Sequence, residues 1–264
     1  MRQTTNIPYF WTPEQLKDKL KEFGPTAFER GMRQRPMSDE DLVFPSFNRC
    51  LKSGFLFKDK ILDHWKTYVG VDLSSEKRAG NSIFTLKIDH EGVRYPVDIR
   101  VGAWKSPDVA RQLNEVDRKY KPLVIVVENN AYQQSIIDWC KESKEEYPFW
   151  QKLHPFTTGR QKADEVIGLP SLEVELFNDA WFFCVDEVKD HDVVCKCGFC
   201  KWISDMQTVT QMDLKKMTPD TNMSMWFARE GVRLFSGISM KKLNDFDDEN
   251  RMAKPITSGL GKVF

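Results

Sequence analysis

Three acidic side chains stand where the sequence otherwise turns apolar or opens a helix. Asp72 closes VGVD, Glu128 closes VIVVE, and Asp220 begins the helical run that follows Thr218 and Pro219. An ionised carboxylate at the end of a core strand is costly unless it is paired or bound to a metal. Acids also start turns after strands, and a first-turn acid is favoured by the helix dipole, so each position taken alone has a structural reading. The combination carries more. If the two strands are neighbours and the helix packs on their sheet, three oxygen donors converge, which is what hard divalent ions require. Two such ions about 4 Å apart activate water and stabilise a leaving oxygen in phosphodiester cleavage, with no Ser, Cys or His nucleophile.

A second group is crowded in sequence. HDVVCKCGFC sets His191, Cys195, Cys197 and Cys200 within ten residues. Thiolates and an imidazole in a set of four suit tetrahedral zinc, and a small excursion with little core gains from such an ion. The Cys-x-Cys pair is tighter than the common Cys-x-x-Cys and no second knuckle is visible; reduced cysteines packed as small hydrophobes are the other reading. Cys50, Cys140 and Cys184 lie in apolar or helical settings and read as packing. In TTGRQK a glycine lets the backbone approach a phosphate while Arg160 and Lys162 supply charge, so these two are the candidates for DNA contact, against a plain solvated loop. Arg229 and Arg233, one helical turn apart, read as surface charge. The eight tryptophans show no spacing that suggests a base-stacking platform and read as core.

The elements that must position these groups are legible from periodicity. TPEQLKDKLKEFG predicts a helix capped by Thr12, with Glu14 in its first turn and Gly24 at its end. The polar stretch RGMRQRPMSDEDLVFP, broken by Pro36 and Pro45, shows no strand pattern. TYVGVDL, SIFTLKI and VRYPVDIRV then predict three sequential antiparallel strands, the last alternating through Val93, Tyr95, Val97, Ile99 and Val101. SPDVARQLNEVDRKY carries a helical stripe of Val109, Leu113, Val116 and Tyr120, with Ser106 as its cap. PLVIVVE reads as a strand covered on both faces, and a helix over 131–144 follows it. A loop is expected around His154–Lys162, then a short helix and strand within GLPSLEVELFNDAWFFCV, then a cysteine-containing excursion at 185–212. The final helix, TPDTNMSMWFAREGVRLF, has an inner stripe of Met223, Trp226, Phe227 and Leu234. Three strands, a helix, a strand and a helix argue for an α/β fold of the RNase H-like (retroviral integrase-like) type, a mixed β-sheet flanked by helices. In that strand order the ends bearing Asp72 and Glu128 are neighbours.

Composition bounds the functional class. The 264 residues are 41% hydrophobic, 12% aromatic and 30% charged, as expected of a globular protein with one large domain, or one domain with a substantial appendage. No apolar run approaches the roughly 18–20 residues that span a bilayer, and the N-terminus lacks a signal-peptide core, so a cytoplasmic, non-secreted protein without a membrane partner is expected. Thirty-nine basic residues balance 39 acidic ones, which excludes a bulk-basic nucleic-acid binder. It leaves room for a local basic stripe whose charge is hidden by site carboxylates.

At these residues the sequence resembles the nuclease (C-terminal) domain of the large terminase subunit of tailed double-stranded DNA bacteriophages. The resembling motifs are VGVDLSS (69–75), VVENNAYQQ (126–134), HPFTTGRQK (154–162) and TPDTNMSMWFARE (218–230), in the family's order and with similar spacing, the second being the most specific. The resemblance implies a metal-dependent endonuclease that cuts concatemeric double-stranded DNA. Asp72, Glu128 and Asp220 would be its acidic triad, holding two Mg²⁺ or Mn²⁺ ions. It implies work in the host cytoplasm during phage assembly, with an ATPase, a small terminase subunit and a portal as partners. Trp11 to Leu16, W-T-P-E-x-L in form, resembles the end of the terminase ATPase domain, but no G-x-x-x-x-G-K-[S/T] phosphate loop is present; SGLGK at 258–262 has the wrong glycine spacing. The expected organisation is therefore an N-terminal arm over 1–65, a nuclease domain over 66–243 and a flexible tail over 244–264, with the ATPase split off, carried by a separate polypeptide, or lost from a remnant. Two departures stand out. AGNSIF offers Asn81 where many relatives carry a further aspartate, and Pro219 precedes Asp220 where many have paired aspartates. An RNase H-like resolvase or integrase shares the triad chemistry, and a catalytically weak DNA-packaging adaptor is the non-enzymatic alternative.

Overall fold

The computed structural model describes residues 12, 14–22, 42–53, 64–73, 80–129, 131–192, 195–216 and 218–236. Its centre is a five-stranded sheet. In chain order the strands are β2 (Lys66–Leu73), β3 (Asn81–Ile88), β4 (Arg94–Gly102), β5 (Val124–Glu128) and β6 (Leu153–Phe156), arranged in space as β4-β3-β2-β5-β6. β2, β3 and β4 pair antiparallel, whereas β2–β5 and β5–β6 pair parallel. The three predicted antiparallel strands and the buried fourth therefore stand as expected, and the mixed sheet is the predicted one.

Both faces are covered. Helices α2 (Ser106–Tyr120) and α3 (Ala131–Glu142) lie on the face carrying Val69, Val71, Ile83, Ile125 and Val127. The other face, with Tyr68, Phe84, Leu86, Val124 and Val126, is covered by α7 (Asp220–Phe235) and by α5 (Gly198–Thr208), which is followed by α6 (Gln211–Lys216). This double cover explains why β2 is buried from Thr67 to Leu73 and why β5 is a continuous apolar run. Ser106, predicted as the cap of α2, is instead its first helical residue, with Lys105 in the cap position and Lys121 ending the helix in the left-handed region.

Several expectations are corrected. Part of the His154–Lys162 loop is β6, whose short edge run contains Pro155; proline lacks a ladder donor and is tolerated only at such an edge. The cysteine-containing excursion is no excursion with little core, because α5 inserts Trp202 and Met206 into the main cluster against Phe47, Phe84 and Phe183. Leu234, assigned to the inner stripe of α7, is 43% exposed, so the buried stripe ends at Val232. Arg229, read as surface charge, is 3% exposed: it pairs with Glu230 at 2.7 Å, donates to the Gly168 carbonyl and meets the Ser171 hydroxyl.

Within 1–65, residues 14–22 form helix α1, introduced by a reciprocal cap in which Thr12 N–H donates to Gln15 Oε1 and Gln15 N–H to Thr12 Oγ1. Further along, Val43, Phe44, Phe47 and Cys50 are buried in the main core. β1 (Leu51–Lys52) pairs with β7 (Phe183–Cys184), the strand that follows the short helix α4 (Leu172–Phe177). Residues 42–52 are thus built into the body of the fold. Gly24 and the segment 244–264 lie outside the described residues. Among the described residues no helix is long and apolar enough to cross a membrane.

Candidate functional site

Register brings the first two carboxylates together. Gly70 aligns with Val126 and Val71 with Val127 on parallel strands, so Asp72 and Glu128 stand one residue beyond the last aligned pair, at the same end of neighbouring strands. Both fall on the face of Tyr68, Gly70, Val124 and Val126, because side chains two apart share a face. Helix α7 lies against that face. Its backbone comes so near β2 that a methyl group on Gly70 would overlap the Ser224 carbonyl and the Ala228 nitrogen. The Ser82 and Ser224 hydroxyls, 2.7 Å apart, hydrogen-bond β3 to the same helix. Asp220 is the first residue of α7, so the helix delivers it to the end of the sheet where Asp72 lies. A methyl group on Gly80 would overlap the Asp220 carboxylate.

The electrostatics follow from this placement. Asp72 is only 9% exposed; burial first, then the charges of Asp220 and Glu128, push its carboxyl well above the usual range, while Lys162 opposes them. Burial pushes Asp220 up to about 6; Asp205 adds to the rise, and Lys201 and Lys162 oppose it. Glu128 accepts a hydrogen bond from the Thr158 hydroxyl, and Asn129 beside it donates its side-chain amide to Thr157 Oγ1 at 3.1 Å. A buried acid facing two other acids is the environment in which a divalent cation is most favourable. The donor set fits hard ions such as Mg²⁺ and Mn²⁺.

Of the predicted DNA-contacting residues, Lys162 lies near enough for its charge to act on both Asp72 and Asp220. Arg160 opens the 3-10 turn Arg160–Ala163, and its side chain lies outside the described residues, as does Asn130. The register places Ser82 across from Asp72, whereas Asn81 faces Leu73 and donates its amide to the Trp104 carbonyl at 3.0 Å. His191, Cys195, Cys197 and Cys200 are drawn together, and Cys195 and Cys200 line a cleft that Asp220 also lines. That cleft, of about 560 Å³, runs between Gly80 and Gly102 on the sheet side and Cys195, Lys201 and Asp205 on the other, with Asp220 in its wall. Gly80, Thr158, Lys201 and Asp205 were not singled out from the sequence. Thr158 and Gly80 stand in strings that were, TTGRQK and AGNSIF; nothing local marks Lys201 or Asp205.

No protein-family model matches this chain, and no curated protein sequence matches it. Solved structures do. A large terminase from a thermophilic bacteriophage superposes with a TM-score of 0.56 at 10% identity, covering 86% of this chain and 53% of that one. The large terminase nuclease of the thermophilic phage G20c, solved with bound zinc, gives 0.50 at 11% identity over 71% of this chain and 97% of that one. The chain thus spans about half the length of the first of these and nearly all of the isolated nuclease. At such identities the likeness is one of fold, the RNase H-like fold of large-terminase nuclease domains.

Proposed function

We propose that this chain, built on the fold of large-terminase nuclease domains, is a metal-dependent endodeoxyribonuclease that cuts concatemeric double-stranded DNA for phage packaging. The observation that supports it above all others is the meeting of Asp72, Glu128 and Asp220 at one end of the sheet, close enough for the other two charges to raise Asp72. These three residues would hold two Mg²⁺ or Mn²⁺ ions, which supply activation of water and stabilisation of the departing 3′ oxygen.

The chain's own residues do the positioning. Burial of Asp72 between β3 and β5 keeps bulk water from screening the site charge. Thr158 holds one oxygen of Glu128 through its hydroxyl hydrogen bond. Gly80 leaves the space that the Asp220 carboxylate fills. Lys162, beside Asp72 and Asp220, would hold a non-bridging phosphate oxygen of the strand being cut, with Arg160 in the same turn as a second phosphate contact. The neighbouring cleft, edged by Lys196 and Lys201, offers a path for the backbone on leaving the carboxylates. A terminase ATPase, a small terminase subunit and a portal are the partners this reading assigns, and the host cytoplasm its setting; the resemblance of the four motifs to terminase nuclease domains is what supports them.

The test is plasmid nicking by wild-type protein and Asp72→Ala with Mg²⁺, Mn²⁺ or chelator. Cutting that needs the cation and Asp72 supports the reading. Retarded migration of intact plasmid, with no nicks under any condition, would replace it with the adaptor reading. Preferred cutting of four-way junctions over linear duplex would reassign it to resolvase chemistry.

A further inference from the structure

We propose that His191, Cys195, Cys197 and Cys200 bind one structural Zn²⁺ that fastens the start of α5, and with it the cleft wall opposite the sheet. The four ligand atoms lie within 4.8 Å of one another. His191 Nδ1 is 3.5 Å from Cys195 Sγ, 3.4 Å from Cys197 Sγ and 3.3 Å from Cys200 Sγ. Zinc bonds of about 2.3 Å to sulfur and 2.0–2.1 Å to nitrogen give a tetrahedron with nitrogen-to-sulfur edges of about 3.6 Å. One imidazole nitrogen aimed at three sulfurs at nearly that spacing is the outline of such a tetrahedron.

The local backbone agrees. Cys197-Gly198-Phe199-Cys200 is itself a Cys-x-x-Cys turn, hidden in the sequence by the overlapping Cys195-x-Cys197. Cys197 caps α5, its sulfur accepting the Cys200 N–H at 3.4 Å, an arrangement that turns both sulfurs to one side. Gly198 allows the turn to sit directly on the sheet, since a methyl group there would overlap the Ile99 carbonyl. Packing does not account for these thiols: Cys50, Cys140 and Cys184 are buried, whereas Cys195, Cys197 and Cys200 are only partly so, and none of the six forms a disulfide. Three partly exposed thiols and an exposed imidazole have no apolar reason to meet.

The site has mechanical consequences for the rest of the fold. From the knuckle, α5 runs to Asp205, whose carboxylate receives the Thr221 hydroxyl at 2.6 Å and holds Lys201 at 3.0 Å, and whose carbonyl accepts from the Asn222 amide. Thr221 and Asn222 are the residues next to Asp220. A zinc at the first turn of α5 therefore steadies the start of α7. Zinc binding itself does not depend on whether the chain cuts DNA.

The experiment is metal analysis of the full chain purified without chelator, beside Cys200→Ser, His191→Asn and Asp72→Asn. One zinc per chain is expected in wild type and in Asp72→Asn, with none in Cys200→Ser. In His191→Asn, zinc affinity measured against a chromophoric chelator should fall at least tenfold. Replacing zinc with Co²⁺ should give thiolate-to-cobalt absorption and intense tetrahedral bands. Stripping the metal should raise amide exchange over residues 198–208 at least tenfold, with recovery on adding Zn²⁺ but not Mg²⁺. If Cys200→Ser does not fold, His191→Asn and the cobalt spectrum decide. Zinc that vanishes in Asp72→Asn and persists in the cysteine variant, a disulfide among the three thiols in the purified chain, or a cobalt spectrum free of thiolate bands would each overturn the proposal.

Discussion

Asp72 is the side chain in which stability and function oppose each other most plainly. It is buried beside two other acids with Lys162 as the facing cation, an arrangement that destabilises the metal-free fold. Asp72→Asn should therefore melt several degrees above wild type in chelator, while plasmid nicking with Mn²⁺ falls to background. A lower melting temperature in chelator would contradict this account of the site. Lys162 is expected to act mainly through phosphate. Lys162→Ala should weaken duplex binding similarly for all sequences and reduce the slope of log affinity against log salt by about 1. An unchanged slope would confine Lys162 to balancing Asp72 and Asp220.

Between elements, the approach of α7 to β2 decides where Asp220 lies. Gly70→Ala must push the helix away or distort the strand, and overpacking of this kind costs about 1–3 kcal/mol. Its nicking rate should fall together with its denaturation midpoint, although residue 70 carries no chemistry. Full activity in a variant of lowered midpoint would show that Asp220 is placed by other contacts. Glu173 of α4 binds the lead-in segment, its two oxygens accepting the Ser46 N–H at 3.2 and 3.3 Å, and burial pushes its carboxyl up to about 7 from 4.5. A raised acid binds its proton more tightly in the folded chain. Its contribution is thus full below about pH 4.5 and is lost as pH rises to about 7, a change on the order of 3 kcal/mol. Glu173→Gln should stabilise the protein at pH 8 and make little difference near pH 4.5, as read by chemical denaturation at both pH values. A greater gain at the acidic end would reverse the assigned sign.

For the molecule as a whole, a cation that binds only the folded site must stabilise every element packed around it. At a concentration 100 times its dissociation constant, Mn²⁺ should add about 2.7 kcal/mol to unfolding. Thermal melts of wild type should rise with Mn²⁺, and those of Asp72→Asn should rise far less. Equal rises would place the ion elsewhere. Because the sheet is covered on both faces and residues 42–52 are part of the core, unfolding should appear as one transition over the described body.

How much of this was legible beforehand follows the range of the interactions involved. β2, β3, β4, β5, α2 and α7 announce themselves through periodicity, and Asp72, Glu128 and Asp220 through their placement at the ends of such runs. These signals arise between residues a few positions apart and survive in a bare sequence. β6 was masked by its brevity and Pro155, Arg229 by a charge whose partners Gly168, Ser171 and Glu230 are supplied mostly by packing, and the Cys197–Cys200 knuckle by an overlapping motif. The sequence by itself determined the long strands and helices and which acids stand at their ends. Only the tertiary structure decided that Val71 lies beside Val127, that α7 closes on Gly70, and that one imidazole meets three thiols. Those outcomes depend on contacts between residues far apart in the chain, whose strength is set by shape and exclusion of water and leaves no period along the sequence.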